Sequence, residues 1–143
     1  MKLKFKKIYT SKTEKLDHEI TGNDLVLFLI RVSLYLKAGS IKLHIMFNDD
    51  KTEPHTHPWG FSSFILFGGY IETTYPNNEL SKDTLYGMFS VNRKTCNEYH
   101  RVRLRRFLGI KIPCVTIGRY TEKKQLCSLC TKLGYCKTTG KPV

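Results

Sequence analysis

The sequence predicts an all-β protein, a sandwich or small barrel. Short apolar runs with a two-residue period recur along the chain, turn-forming residues separate them, and no sustained helical period appears in its 143 residues. That length suffices for one domain with a hydrophobic core of its own. The expected division is a barrel over residues 1–121, with an N-terminal arm over about 1–23, and a short polar tail over 122–143 rich in Cys and Lys.

Residues 1–7 alternate Lys with apolar residues as far as Phe5, as an edge strand or an arm would. Residues 11–23 are polar and read as a connecting loop or one helical turn. Residues 25–36 are apolar on all sides apart from Arg31, and their β-branched and aromatic content favours a strand over a buried helix. A turn follows over 37–40. Ile41, Leu43, Ile45 and Phe47 then alternate with Lys42, His44 and Met46, the pattern of a half-buried strand that would set His44 on the solvent side.

After an acidic turn over 48–54, residues 61–67 form a strand apolar on both faces, as in the middle of a sandwich. Gly68-Gly69 permits a tight bend or bulge. Residues 70–75 continue as a strand, 76–78 as a loop, 85–91 as a further strand and 92–97 as a turn. In residues 99–106, His100, Val102 and Leu104 share one face while Arg101, Arg103 and Arg105 share the other. Residues 112–120 make one more strand.

A net charge of +12 favours anionic partners, whether nucleic acid, nucleotide, phosphorylated metabolite or membrane surface, and a lysine-rich solubilising surface would give the same balance. The longest apolar stretch is interrupted and too short to span a bilayer, so no membrane partner is expected. No hydrophobic leader or cleavage site follows the basic start. Five cysteines are an odd number, without the density of a disulfide scaffold, so a reduced, cytoplasmic protein is expected.

The most informative stretch is His55-Thr56-His57-Pro58-Trp59-Gly60-Phe61, which holds the only tryptophan. On a strand, His55 and His57 would point to one side together. A strand order with this pair, then a glycine (Gly68 or Gly69), then Gly87 and His100, resembles the cupin superfamily of small β-barrels. The glutamate of the first cupin motif would fall at Phe61 or Ser62, so that ligand is absent. The second motif lacks its internal proline and glycine and is about two residues longer. A narrower resemblance, over roughly residues 35–120, is to small cupin-like proteins of unknown function found in bacteria and phages. Their His-Pro-Trp stretch, Gly-Tyr-x-Glu ending and His-Arg-Val segment are matched by His57-Pro58-Trp59, Gly69-Tyr70-Ile71-Glu72 and His100-Arg101-Val102. The resemblance implies a double-stranded β-helix, or jelly roll. It also places the protein in the host cytoplasm if a phage encodes it.

Neutral imidazole is the commonest ligand of divalent transition metals. His55, His57 and His100 would supply three ligands for Fe, Mn, Ni or Zn at the barrel mouth, with Glu72 as the nearest acidic residue to complete the set. Oxygenase or isomerase chemistry on a small anionic molecule is compatible with such a centre, and so is Lewis-acid chemistry. In a metal-free variant, resembling cupin-like sugar epimerases, a histidine would act as base with Tyr70 or Tyr99 as acid. Cys127, Cys130 and Cys136 offer a second, incomplete zinc half-site, although a reduced, loosely structured tail is the preferred reading of them. Arg101, Arg103 and Arg105 would bind anions, although alternating arginines often form a solvated outer face. Two classes thus stand side by side. One is a metal-dependent cupin enzyme; the other is a metal-free binding module for a nucleotide-like ligand, nucleic acid or a partner protein. A homodimer is expected only by analogy with the fold.

Overall fold

A computed structural model describes residues 1–12, 25–51, 54–57, 59–75, 80–96 and 98–122. Its eleven strands are β1 (Lys2–Ser11), β2 (Leu25–Leu36), β3 (Gly39–Met46), β4 (Phe61–Phe67), β5 (Gly69–Thr74), β6 (Lys82–Gly87), β7 (Val91–Lys94), β8 (His100–Leu104), β9 (Arg106–Phe107), β10 (Ile110–Lys111) and β11 (Cys114–Tyr120). Six form one sheet in the order β1-β2-β3-β11-β4-β7, three form a second in the order β6-β5-β8, and β9 and β10 make a small hairpin. Every pairing is antiparallel. This is the all-β jelly roll that the sequence predicts.

Gly68 and Gly69, at φ +75° and +119°, carry the chain from the large sheet to the small one. These are left-handed values that favour glycine, and a Cβ on Gly68 would run into the Pro113 carbonyl. The two sheets close on a core of Phe28, Leu29, Met46, Ile65, Tyr70, Leu104 and Cys114. Asp49 ties the loop after β3 to β8: its carboxylate accepts from the Leu104 amide at 2.8 Å and from the Arg106 guanidinium at 2.6 Å.

Several sequence expectations are corrected. Residues 2–11 form a full edge strand, registered on β2 from Lys2 opposite Tyr35 to Ser11 opposite Leu25. The strand expected over 85–91 is split by a turn in which Phe89 adopts φ +67°, so part of the expected 92–97 turn is strand β7.

The largest correction concerns β3. Ser40, Lys42, His44 and Met46 are buried, whereas Ile41 is 38% exposed and Leu43 and Ile45 are half-buried. His44 is therefore an interior residue. Alternation tells which residues share a face but not which face is inside. The register explains the choice. Arg31, His44 and Thr116 lie opposite one another across β2, β3 and β11, and Ser33, Lys42, Gly118, Ser63 and Asn92 form the next row, reaching β7. One end of the lumen is polar, and the aliphatic rows of β3 lie on the outer face with Val32, Leu34 and Ile117.

Candidate metal centre

The segment before β4 runs beside β8, where His55 and His100 exchange backbone hydrogen bonds, 3.3 Å from the His55 amide to the His100 carbonyl and 3.1 Å in return. This bridge sets His55 directly against His100, and the two-residue spacing brings His57 to the same side. The ring centroids of His57 lie 4.8 Å from His100 and 5.1 Å from His55. One donor nitrogen from each of the three histidines lies within 4.8 Å of the other two. A metal with bonds of about 2.1 Å holds neighbouring donors roughly 3–3.5 Å apart, so the group fits an ion after a small closure. Among the described residues this is the only group of three or more His, Cys, Asp or Glu side chains with such a disposition.

His57 suits the role electrostatically. Burial pushes its pKa well below the ordinary histidine value, and the neighbouring His100 and His55 push it the same way. It is thus neutral, the form a metal requires.

Glu72 lies behind the histidines, where the sequence expectation had made it a ligand beside them. Fully buried, it accepts a hydrogen bond from Asn92 Nδ2 at 2.9 Å and lies 2.9 Å from His100 Nδ1, both through Oε2, while its Oε1 pairs with Lys94 Nζ at 2.9 Å. Burial raises the Glu72 pKa, but the His100, Lys94 and Asn92 contacts outweigh it and hold the carboxyl below its usual range. An ionised Glu72 accepts the Nδ1 proton of His100 and leaves Nε2 to face the other two rings. Carboxylate support of this kind orients a ligating histidine and raises its basicity. Among the described residues a further acid lies nearby, Asp50, 3.8 Å from His55 Nε2.

Around the three imidazoles stands an aromatic wall. Trp59 stacks on His57 at 5.8 Å and 10°, Phe61 lies 6.3 Å from both His57 and His100, and Tyr120 stacks on Phe61 at 5.3 Å. Beyond it lie residues that nothing in the local sequence pattern flagged. Arg31 Nε donates to His44 Nε2 at 2.7 Å, Tyr120 Oη lies 3.3 Å from His44 Nδ1, and Lys42 Nζ sits 3.3 Å from the centre of the Trp59 ring. Tyr120 is pushed up to about 12, chiefly by burial.

The remaining sequence-derived candidates lie elsewhere. Tyr70 is a core residue whose hydroxyl accepts from Asn92 at 2.8 Å, and burial raises its pKa far above the ordinary tyrosine value; Tyr99 is 45% exposed. Arg101 and Arg103 line the outer face of the small sheet, opposite to His100, Arg103 pairs with Asp83 at 2.8 Å, and the exposed Arg105 follows the end of β8. Cys127, Cys130 and Cys136 fall outside the described residues.

Compared by sequence, the chain matches no family model and no curated protein. Solved structures do match. A cupin-2 domain from Rhodospirillum rubrum shares 7% identity over 88% of this chain and 74% of its own, with a TM-score of 0.57. HppE in its Fe(II) form shares 10% identity over 80% of this chain and 56% of its own, at 0.52. CapF, a capsular polysaccharide assembling protein from Staphylococcus aureus, shares 12% identity over 65% of this chain, at 0.51. This chain spans 26% of the CapF chain and 50% of a hydroxypropylphosphonic acid epoxidase from S. wedmorenis that it also matches. At such low identity the shared property is architecture, and the architecture is that of the cupins.

Proposed function

We propose that this chain is a metal-binding cupin whose centre is His55, His57 and His100, with a small anionic molecule as its ligand. The observation that carries the reading is the convergence of the three donor nitrogens within 4.8 Å, with His100 held from behind by a buried, ionised Glu72. Three histidines would leave coordination positions for a ligand. A divalent ion there, Fe, Mn, Ni or Zn, would supply Lewis acidity or oxygen activation, the chemistry of a cupin isomerase or oxygenase. The residues of the chain orient the imidazoles, keep His57 unprotonated and shield the centre with Trp59, Phe61 and Tyr120. The Fe(II) form of HppE among the structural neighbours supports a metal in this fold. A reducing compartment such as the cytoplasm belongs to the proposal: the buried Cys114 is a free thiol, and among the described residues no helix is long and apolar enough to cross a membrane.

The test is elemental analysis of protein purified without chelator or metal-binding tag. The expected result is about one transition-metal ion per chain, lost in the His55→Ala, His57→Ala double variant. Metal that survives that change and disappears only when Cys127 and Cys130 are replaced would move the site to the tail and sink the proposal.

A second reading, a metal-free module for nucleic acid, draws on one observation: Arg101 and Arg103 share the outer face of β8, and the exposed Arg105 follows directly after it. It requires heparin retention that falls steeply with salt and depends on those three arginines.

A further inference from the structure

The lumen of the large sheet holds a concentration of positive charge that the metal centre does not use. Arg31, Lys42 and His44 all point inward, and Lys42 and His44 are 3% and 6% exposed. The buried carboxylate of the same end, Glu72, is committed to Lys94 and His100. Among the described residues no carboxylate pairs with Arg31. Its Nε donates to His44 Nε2, which fixes the guanidinium against the wall and leaves its two terminal amino groups without a hydrogen-bond acceptor among those residues.

His44 does not add a third positive charge. Accepting from Arg31 at Nε2, it carries its proton on Nδ1, towards Tyr120 Oη. In the same row, directly opposite His44, Thr116 is 1% exposed, and its buried hydroxyl oxygen has no hydrogen-bond partner among the described residues. Groups of this kind are costly to bury and normally satisfied. A guanidinium with open donors and, across His44 from it, an unsatisfied hydroxyl have the composition of an oxyanion site.

The position also fits a ligand of the neighbouring centre. The Trp59 indole stacks on His57, and both Lys42 Nζ, at 3.3 Å, and Arg31 Cζ, at 5.6 Å, approach the same ring. The cations and the histidine cluster thus approach one and the same indole ring.

We propose that Arg31, Lys42 and Thr116 form an oxyanion subsite inside the barrel, which takes the carboxylate or phosphoryl group of a small bifunctional molecule whose other end reaches His55, His57 and His100. The second half of this statement rests on the metal reading; the first does not.

Trp59 is the only tryptophan, so its fluorescence reports on the subsite directly. Titrating inorganic phosphate, and separately acetate, into metal-free protein at constant ionic strength should give a saturable change. The tighter of the two anions identifies the ligand class. Arg31→Gln should weaken binding by about 10–100-fold, as expected for loss of a charged hydrogen-bonding partner, and Thr116→Val by less. The His55→Ala, His57→Ala variant should still bind the anion, and Arg31→Gln should still bind metal. Loss of metal binding alone would therefore fault the centre and not the subsite. Circular dichroism checks that each variant is folded, and Thr116→Val serves if Arg31→Gln is not. No saturable response to either anion overturns the proposal. So does an effect of Arg31→Gln no larger than that of Arg103→Gln, which would mark a surface-charge effect.

Discussion

At one end of the lumen, Leu29, Met46, Cys114 and Ile65 pack against Tyr70 and Leu104. Two residues further along β2, β3 and β11, the same inward positions hold Arg31, His44 and Thr116, and two residues beyond those come Ser33, Lys42 and Gly118. Both ends obey the same strand alternation, and both are buried. They differ in what burial does. At the apolar end each side chain withdrawn from water stabilises the fold. At the polar end every withdrawn group costs desolvation that a hydrogen bond or ion pair must offset. A chain that gives so much of its interior to the second kind relies on the first kind for stability.

The largest expected effect lies at the apolar end. Ile65 and Leu104 are 0% and 2% exposed, and truncating either to Ala removes well-packed methyl groups and leaves a cavity. The expected loss is about 2–5 kcal/mol of unfolding free energy by urea titration. Metal content per folded molecule should not change. A loss below about 1 kcal/mol at both positions would mean that stability does not reside there.

Glu72→Gln probes the polar end. It keeps the shape but removes the charge that holds Lys94 and His100. Lys94 reaches solvent, so the stability loss should be smaller, about 1–3 kcal/mol. Loss of support for a ligating histidine should weaken metal binding by about 10–100-fold, read by competition with a chromogenic chelator. Unchanged affinity would leave Glu72 a purely structural residue.

What the sequence disclosed divides along the same line. The jelly roll followed from period-two runs and from Gly68-Gly69, because strand formation and chain reversal are local properties. The three histidines were legible for a similar reason: His55 and His57 are two apart, and His100 shares its strand face with Val102 and Leu104. Glu72 was legible as a neighbour of the site but not as support for His100, since the register of β5 on β8, with Glu72 opposite Val102, is a long-range fact. The Arg31–Lys42–His44 group was hidden altogether. Aliphatic residues at 41, 43 and 45 pointed to the opposite face as the buried one, and only the pairing of β3 between β2 and β11 reverses that.

Acid should separate the two kinds of burial further. Burial holds the His44 pKa well below the ordinary value near 6.5, and Arg31 and Lys42 add to the effect; His57 is depressed in the same direction. Unfolded, these rings bind protons more readily than they do folded, so stability rises with pH across the window. The contribution is complete above about pH 6.5 and is lost as pH falls towards the depressed values, by up to about 1.4 kcal/mol per pH unit per group. Glu72 keeps its contribution until pH drops below the ordinary carboxylate range and then loses it as pH falls through its lowered pKa. Urea midpoints of metal-free protein between pH 7.5 and 5 should therefore fall, and His44→Gln should flatten the slope. A flat profile in the parent protein would mean that the polar end accepts protons freely.

The smallest effect is expected outside the barrel, where neither kind of burial operates. Arg103 and Asp83 form a 2.8 Å ion pair with side chains 51% and 49% exposed. The contact is as short as those around Glu72, but water solvates both partners, and holding two flexible side chains together opposes the Coulomb gain. Arg103→Ala should cost less than about 1 kcal/mol and shrink further in salt. If it matched Glu72→Gln, distance alone would govern the pairs of this protein. The expected gap between them measures how much of the polar end's hold on its histidines comes from the exclusion of water.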